Sequence, residues 1–303
     1  MGEVRLEKPE WLKIRPSYDT DFSKIKQALR KRGLVTVCEE AHCPNMAECW
    51  HNEGTATFMV LGDTCTRGCK FCAIKTSANG NPVDPFEPQK IASAIREMGL
   101  DYAVITSVDR DDLVDGGADH FAQVVQRVKA EHPSGRVEIL TGDFQGKFED
   151  IKTVVDAKPD VFAHNIETIK RLHPKVRDLR AKYDQTMQVL RTVKEIDPEM
   201  ITKSAIMVGL GETEEEVIET MKDLRAVGCD ILTIGQYLRP KTKRLAVEEF
   251  VTPEQFSRYR KIGEELGFLY VASGPYVRSS YRAGEFFIKS LLQKKEQSKK
   301  EEN

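Results

Sequence analysis

The sequence predicts an α/β protein: an incomplete parallel (β/α)6 barrel with an N-terminal and a C-terminal extension. Two observations carry this. Apolar, β-branched runs recur at 56–61, 102–107, 137–140, 161–163, 201–208 and 231–237, and helix-period segments fill the intervals at 88–98, 121–129, 148–155, 186–196 and 214–227. Strands alternating with helices predict βαβ units and a parallel sheet. The strand runs are nearly all apolar, as expected when both faces of each strand are covered. A further helix at 253–266 leads into a last short strand at 269–272. The expected organisation is an N-terminal extension over 1–53, the barrel over 54–273, a C-terminal segment over 274–290 and a charged tail over 291–303. Residues 24–31 read as a short helix, with Ile25, Ala28 and Leu29 on one face.

Composition narrows the function classes. The 303 residues carry 46 Lys and Arg against 48 Asp and Glu, a net charge of -2. A nucleic-acid binder would show a basic excess, so no nucleic-acid partner is expected. No apolar stretch reaches membrane-spanning length, and Met1 to Trp11 carries no apolar core of a secretory signal. The expectation is a cytoplasmic protein without membrane contact. Seven cysteines in such a chain point to metal or redox chemistry rather than disulfides.

Six of the seven fall between Cys38 and Cys72. Cys65-Thr-Arg-Gly-Cys69-Lys-Phe-Cys72 sets three cysteines at C-x3-C-x2-C spacing after the first strand run. Three thiolates so close suit three corners of a [4Fe–4S] cluster, leaving one iron open to a small molecule. Gly68 lets the loop bend, and Phe71 is placed to shield one side. A structural zinc site is the alternative, but it favours paired C-x2-4-C sets. Cys38, Cys43 and Cys49 form a second triad at C-x4-C-x5-C, with His42 and His51 as flanking side chains that read better as surface or supporting groups than as ligands. Cys229, alone at the head of an apolar run, reads as a small buried hydrophobe.

The octet 65–72 matches the signature of the radical S-adenosylmethionine (SAM) superfamily. Together with the 38–49 triad and Arg278-Ser279-Ser280-Tyr281, the chain resembles the lipoyl synthase family from about Val37 to Ala283. The resemblance implies a radical SAM type of barrel, two [4Fe–4S] clusters and SAM. It assigns Cys65, Cys69 and Cys72 to the SAM-binding cluster. Cys38, Cys43 and Cys49 are assigned to an auxiliary cluster, with Ser280, or else Ser279, as its fourth ligand. Without the resemblance the serine pair reads as turn or cap residues. The implied reaction inserts sulfur at C6 and C8 of a protein-bound octanoyl-lysine, with the auxiliary cluster as sulfur donor. Side-chain bases cannot remove an unactivated methylene proton, since burial moves a pKa by only ~3–5 units, so a cofactor must carry radical chemistry. The implied partners are octanoylated lipoyl domains of 2-oxoacid dehydrogenase subunits or the glycine-cleavage H protein. A flavodoxin- or ferredoxin-type donor and an iron–sulfur carrier complete the set.

In parallel α/β folds ligands sit at the carboxyl ends of strands. Three stretches therefore become candidates for SAM: Thr106 and Ser107 with Asp109–Asp112, Asn165 with Glu167, and Lys203 with Gly209 and Gly211. Each has a plainer alternative. Asp109–Asp112 reads equally as solvated loop charge, Glu167 as a surface ion pair, and Gly209-Leu-Gly211-Glu212 as a strand-to-helix turn. Rival functions are another radical SAM sulfur inserter similar to biotin synthase, an iron–sulfur carrier, and a structural zinc protein.

Overall fold

The structure, a computed structural model, describes residues 6–13, 29–30, 32–37, 57–280 and 291. Its centre is one sheet of eight strands. The short β1 (Val35–Thr36) pairs antiparallel with β2 (Thr57–Val60), and the remaining neighbours are parallel. A separate two-stranded ribbon, β3 (Thr64–Cys65) against β4 (Lys75–Thr76), pins together the two ends of the cysteine loop. The main sheet continues through β5 (Tyr102–Ser107), β6 (Arg136–Leu140), β7 (Val161–Ala163), β8 (Ile201–Val208), β9 (Ile231–Gln236) and β10 (Tyr270–Gly274).

Each parallel strand lies beside the one that precedes it in the main sheet, so the order never reverses. With right-handed crossovers, that winding puts every helix on one side and curls the sheet around its other face. The helices are α1 (Glu87–Met98), α2 (Ala118–Glu131), α3 (Phe148–Asp156), the four-residue α4 (His173–Val176), α5 (Tyr183–Ile196), α6 (Glu214–Ala226) and α7 (Pro253–Glu265). Alternation along β5 shows the two faces. Tyr102 and Val104 join Val161, Ile201 and Ile231 in an inner cluster, whereas Ala103 and Ile105 pack with Ile91 and Ile95 of α1 and Phe121 of α2. Both faces are dry, which is why the strands read as continuous apolar runs.

Among the described residues the sheet does not close on itself, but its two ends are brought together. Six residues beyond β10, the Ser280 hydroxyl accepts a hydrogen bond from Thr57 Oγ1 of β2 at 3.1 Å. The connecting chain passes directly over Gly235 of β9, where a Cβ would lie 2.0 Å from the Val277 carbonyl. The expected incomplete barrel is the fold.

Helix ends follow local chemistry. α6 opens on a capping box, the Thr213 hydroxyl accepting from Glu216 N and the Glu216 carboxylate from Thr213 N. α2 begins at Ala118, three residues before the expected start, because the Asp115 carboxylate accepts the amides of Gly117 and Asp119. β1, the β3–β4 ribbon and α4 were not expected, being too short to show a period. Of the helix expected over 24–31, only Leu29 and Arg30 lie among the described residues. Cys38, Cys43, Cys49, His42, His51, Tyr281 and the tail lie outside them. Among the described residues no helix is long and apolar enough to cross a membrane.

Candidate active site

The cysteine octet emerges from β2 at the carboxyl edge of the sheet and is fixed from two sides. Thr66 N and its hydroxyl both donate to the Asp109 carbonyl beyond β5, at 2.9 Å each. Lys70 N donates to the Val176 carbonyl at the end of α4. Cys65, Cys69 and Cys72 are all half-buried. Each sulfur has a backbone amide nearby: Arg67 N at 3.4 Å from Cys65 Sγ, Asp178 N at 3.3 Å from Cys69 Sγ, and the Ile74 amide on Cys72. Burial nevertheless pushes the Cys65 thiol up to about 12 and the Cys72 thiol up to about 11, and it raises Cys69 as well. Thiols in this setting lose their protons only to a metal that takes their place.

Beneath the loop sits Arg67, a residue that spacing arguments treat as filler between cysteines. Its side chain is buried and meets three carboxylates. Nε and Nη2 donate to Asp111 at 2.8 and 2.7 Å, and Nη1 and Nη2 donate to Asp143 at 2.7 Å each. Asp109 Oδ1 stands 3.6 Å from Nη1. Two bidentate forks on one guanidinium fix a plane as no lysine can. Burial pushes the Asp143 carboxyl up, but Arg67 outweighs it and holds that group down at about 2. Asp109 goes the other way, because burial raises its carboxyl above the ordinary range despite Arg67. Asp109–Asp112 is therefore a brace for the octet rather than solvated loop charge. Asp178 adds a further strut, accepting Gly68 N at 2.8 Å and a fork from Arg180.

Across the mouth, Asn165 and Glu167 follow β7. Glu167 has a φ of 68°, unusual for a residue with a side chain, and it bridges in parallel to Ile206 of β8. Asn165 Nδ2 donates to Glu167 Oε1 at 3.0 Å. Glu167 is half-buried, burial pushes its carboxyl above its ordinary range with the Arg177 charge opposing, and among the described residues it accepts from the Asn165 amide and makes no ion pair. Two buried polar atoms at this end, Asn165 Oδ1 and His164 Nε2, have no protein partner among the described residues, nor does Thr233 Oγ1, which alternates with Ile231 onto the inner face. Such atoms are costly to bury unless something else binds them.

Other expected SAM contacts are already engaged within the protein. The Thr106 hydroxyl donates to the Leu140 carbonyl at 2.9 Å. Lys203, 1% exposed, places its ammonium 2.8 and 2.9 Å from the two Glu138 oxygens, and Tyr102 OH donates to the same carboxylate at 2.6 Å. Gly209 allows a close approach, but the chain itself makes it, since a Cβ there would meet Gln236 Nε2 and the Glu249 carbonyl at 2.2 and 2.4 Å. Ser107 lines a small cleft with Asp109 and Arg67. Sequence reasoning missed Arg67, Asp143, Asp178 and Glu138. The one available signal was Asp143, a carboxylate three residues past the end of β6, where ligand-side groups gather.

Comparison with known proteins joins these observations. Residues 59–224 match the Radical SAM superfamily, and residues 1–43 match the N-terminal domain of lipoyl synthase of the Radical SAM family. "Lipoyl synthase, mitochondrial" of Culex quinquefasciatus is 55% identical over 302 residues, 98% of this chain and 80% of that one. The chain belongs to the lipoyl synthase family. "Lipoyl synthase" of Anaeromyxobacter sp. (strain Fw109-5) is 56% identical over 94% of this chain and 96% of its own. "Lipoyl synthase, chloroplastic" of Arabidopsis thaliana is 55% identical over 96% and 75%. Among solved structures, methylornithine synthase aligns with a TM-score of 0.54 at 14% identity, over 86% of this chain and 84% of that one. An FeFe-hydrogenase maturase from Carboxydothermus hydrogenoformans gives 0.55 at 14%, over 89% and 78%. At that identity the likeness concerns the fold alone.

The protein is thus a radical SAM enzyme, and its superfamily implies a [4Fe–4S] cluster and SAM. The octet fits such a cluster. Three half-buried sulfurs on one pinned loop, each with an amide nearby, are a donor set that needs a metal to carry its charge. The unpartnered polar atoms opposite suit a polar small molecule.

Proposed function

We propose that this enzyme inserts two sulfur atoms, at C6 and C8, into an octanoyl group carried on a protein lysine, with an auxiliary [4Fe–4S] cluster as donor. The observation that carries the reading is a meeting of distant segments. Ser280 of the Arg-Ser-Ser-Tyr stretch bonds Thr57 at the start of β2. β1 runs antiparallel beside that strand with Thr36 opposite Phe58, so Val37, the residue before Cys38, follows next to the same point. The serine and the approach to the first cysteine triad thus converge from opposite ends of the chain, as shared ligands of one cluster require. A hydroxyl oxygen is a poorer match than thiolate for iron in a cluster, which suits a ligand that must leave when sulfur is given up.

In this reading Cys65, Cys69 and Cys72 hold the SAM-binding cluster and Arg67 keeps their loop in plane. When bound, that cluster and SAM supply a 5′-deoxyadenosyl radical that takes hydrogen from an unactivated methylene. Asn165 and Glu167 meet polar groups of SAM, with Asn165 Oδ1 free to accept, and Ser107, in the small cleft beside Arg67 and Asp109, contributes from the β5 side. Thr106, Lys203 and Gly209 act one layer below by holding the strands that carry these groups. Cys38, Cys43, Cys49 and Ser280 hold the auxiliary cluster. The carrier is an octanoylated lipoyl domain or the glycine-cleavage H protein; electrons come from a flavodoxin- or ferredoxin-type donor, and an iron–sulfur carrier rebuilds the spent cluster. We place the enzyme in the cytoplasm, since its cysteines suit metal chemistry rather than disulfides; several relatives are named for mitochondria, chloroplasts or the apicoplast.

The test is iron and sulfide per chain after anaerobic reconstitution of the wild type and of the Cys38→Ala/Cys43→Ala/Cys49→Ala variant. Two cubanes give about eight irons falling to about four. The variant should still cleave SAM and make no lipoyl product from an octanoyl-lysyl peptide. About four irons in both proteins, or lipoyl product from the variant, sinks the auxiliary-cluster reading.

A further inference from the structure

The loop that follows β9 builds a second recess, separate from the mouth lined by Asn165 and Glu167. It is a cleft of about 510 Å³, within the range of sites that seat a ligand group. Its floor is apolar, from Leu6, Leu238, Val247 and Phe250, and Lys8 and Lys241 stand on its rim. The loop 238–250 carries Arg239, Lys241, Lys243 and Arg244 against Glu248 and Glu249, a local excess of two positive charges before Lys8 is added, in a chain of net charge -2. Lys241 donates to the Ala73 carbonyl at 3.3 Å, and Arg244 stands 3.5 Å from the Ile74 carbonyl. These contacts do not neutralise charge. They do tie the cleft to the far end of the cysteine loop, as does Leu245 N on the Lys70 carbonyl at 3.3 Å. Whatever sits in the cleft therefore lies beside the octet.

We infer that this cleft is where the protein carrying the octanoyl-lysine docks, through an acidic face set against Lys8 and Lys241 and the exposed Lys243 beside them in the same loop. The inference rests on the lipoyl reading above. Charge complementarity supplies the sign of the partner, and the apolar floor supplies a seat for a side chain at the centre of the contact. Provenance supplies the partner's identity. Leu6 and Lys8 belong to the stretch that matches the lipoyl synthase N-terminal domain, residues 1–43, and the loop 238–250 lies beyond the superfamily match at 59–224. The cleft is therefore completed by a segment, Leu6 and Lys8, that belongs to the family's own N-terminal domain. Electron delivery is a need that the whole superfamily shares, whereas a carrier-bound octanoyl chain is particular to this family.

The experiment compares two substrates, an intact octanoylated carrier domain and a short octanoyl-lysyl peptide, in reconstituted wild type and in Lys8→Glu/Lys243→Glu. Neither lysine holds the cysteine loop, and Lys261→Glu on the outer face of α7 serves as the charge control. The double variant should raise the KM for the domain about tenfold with kcat unchanged, leave the peptide KM and substrate-free SAM cleavage where they were, and lose the salt dependence of the domain KM. Unchanged KM for the domain overturns the proposal, and so does an equal rise for the peptide or for the Lys261 control. A rate lost only with a protein reductant and restored by dithionite overturns it too, and assigns the cleft to the electron donor. Failure of the wild type to make lipoyl product from either substrate is a different result, because it removes the lipoyl reading before docking enters.

Discussion

The barrel holds two buried charge clusters that differ in one respect. Lower in the barrel, Glu138 is answered by Lys203 and by Tyr102 OH, all three inside the protein and all within 2.6 to 2.9 Å. At the carboxyl edge, Arg67 faces Asp109, Asp111 and Asp143, and Arg180 reaches Asp111 and Asp178, so four carboxylates meet two guanidiniums. On the inner side of the sheet, buried atoms of Asn165, His164 and Thr233 have no protein partner among the described residues. The first cluster is closed: charge balances charge and no group is left over. The second is lopsided and incomplete. A closed buried pair serves the scaffold, since it has nothing to offer a ligand, whereas surplus acceptors and unpartnered donors mark where a cluster and a charged cofactor complete the structure.

The largest effect is expected from removing the group that the open region exists to hold. Cys65→Ala, Cys69→Ala or Cys72→Ala should abolish SAM cleavage, read as loss of 5′-deoxyadenosine; retained product would show that the octet is not the SAM cluster site. Next comes the brace. Arg67→Ala takes the guanidinium from the buried Asp143 and from Asp109 and leaves Asp111 only Arg180 at 3.1 Å, and breaking a buried network in this way typically costs about 3–5 kcal/mol. Arg67→Lys keeps the charge but loses both forks. It should therefore fold, load less iron per chain, and show an altered electron paramagnetic resonance signal. A normal signal and full iron with lysine would reduce Arg67 to a generic counter-ion.

The closed cluster should respond differently. Glu138→Gln leaves the Lys203 ammonium buried without its carboxylate, so stability should fall by about 3–5 kcal/mol in a urea titration. Iron per folded chain and SAM cleavage should stay near wild type. Replacing the trio together, as Glu138→Met/Lys203→Met/Tyr102→Phe, should recover most of the loss, because no unpaired group then remains. If the triple variant folds well but no longer binds SAM, the cluster is not closed and Lys203 belongs to the ligand site after all.

This contrast also explains what the sequence made legible. Strand and helix positions could be read because burial on both faces writes apolar runs into β5 and β8, and amphipathic helices write their period between them. Cysteine spacing could be read because the ligands of one loop are local in the chain. Arg67 was not readable for the opposite reason. Its meaning depends on Asp111 and Asp143, 44 and 76 residues away, which only the crossover connections bring beneath it. The setting of Lys203 was hidden for the same reason, because its partner Glu138 lies 65 residues earlier. Ser280 entered through a family resemblance, since two serines in a turn carry no signal until Thr57 is found within reach.

The smallest effect probes a neutral group beside the open region. His173 is buried on Tyr183, with ring centroids 5.6 Å apart and edge-to-face geometry, and its Nε2 lies 3.1 Å from the Ile166 carbonyl. Burial, helped by the Arg177 charge, lowers its pKa from an ordinary 6.5 to about 4. The unfolded chain therefore takes up a proton near pH 6.5 while the folded chain does not until about pH 4. The histidine thus contributes no penalty above the unfolded value, and stability falls as the pH drops through the window between the two. His173→Gln keeps a donor for the Ile166 carbonyl and cannot titrate. The variant should be slightly less stable than wild type at neutral pH, through lost packing on Tyr183, and should close or reverse that gap at pH 5 by about 1–2 kcal/mol, one pKa unit being about 1.4 kcal/mol. Urea midpoints at the two pH values measure it. A gap that stays constant would mean that His173 charges freely in the fold, so that the ground between α4 and the Glu167 turn is wetter and more polar than its burial implies, and the boundary between the open and closed regions would move down to include it.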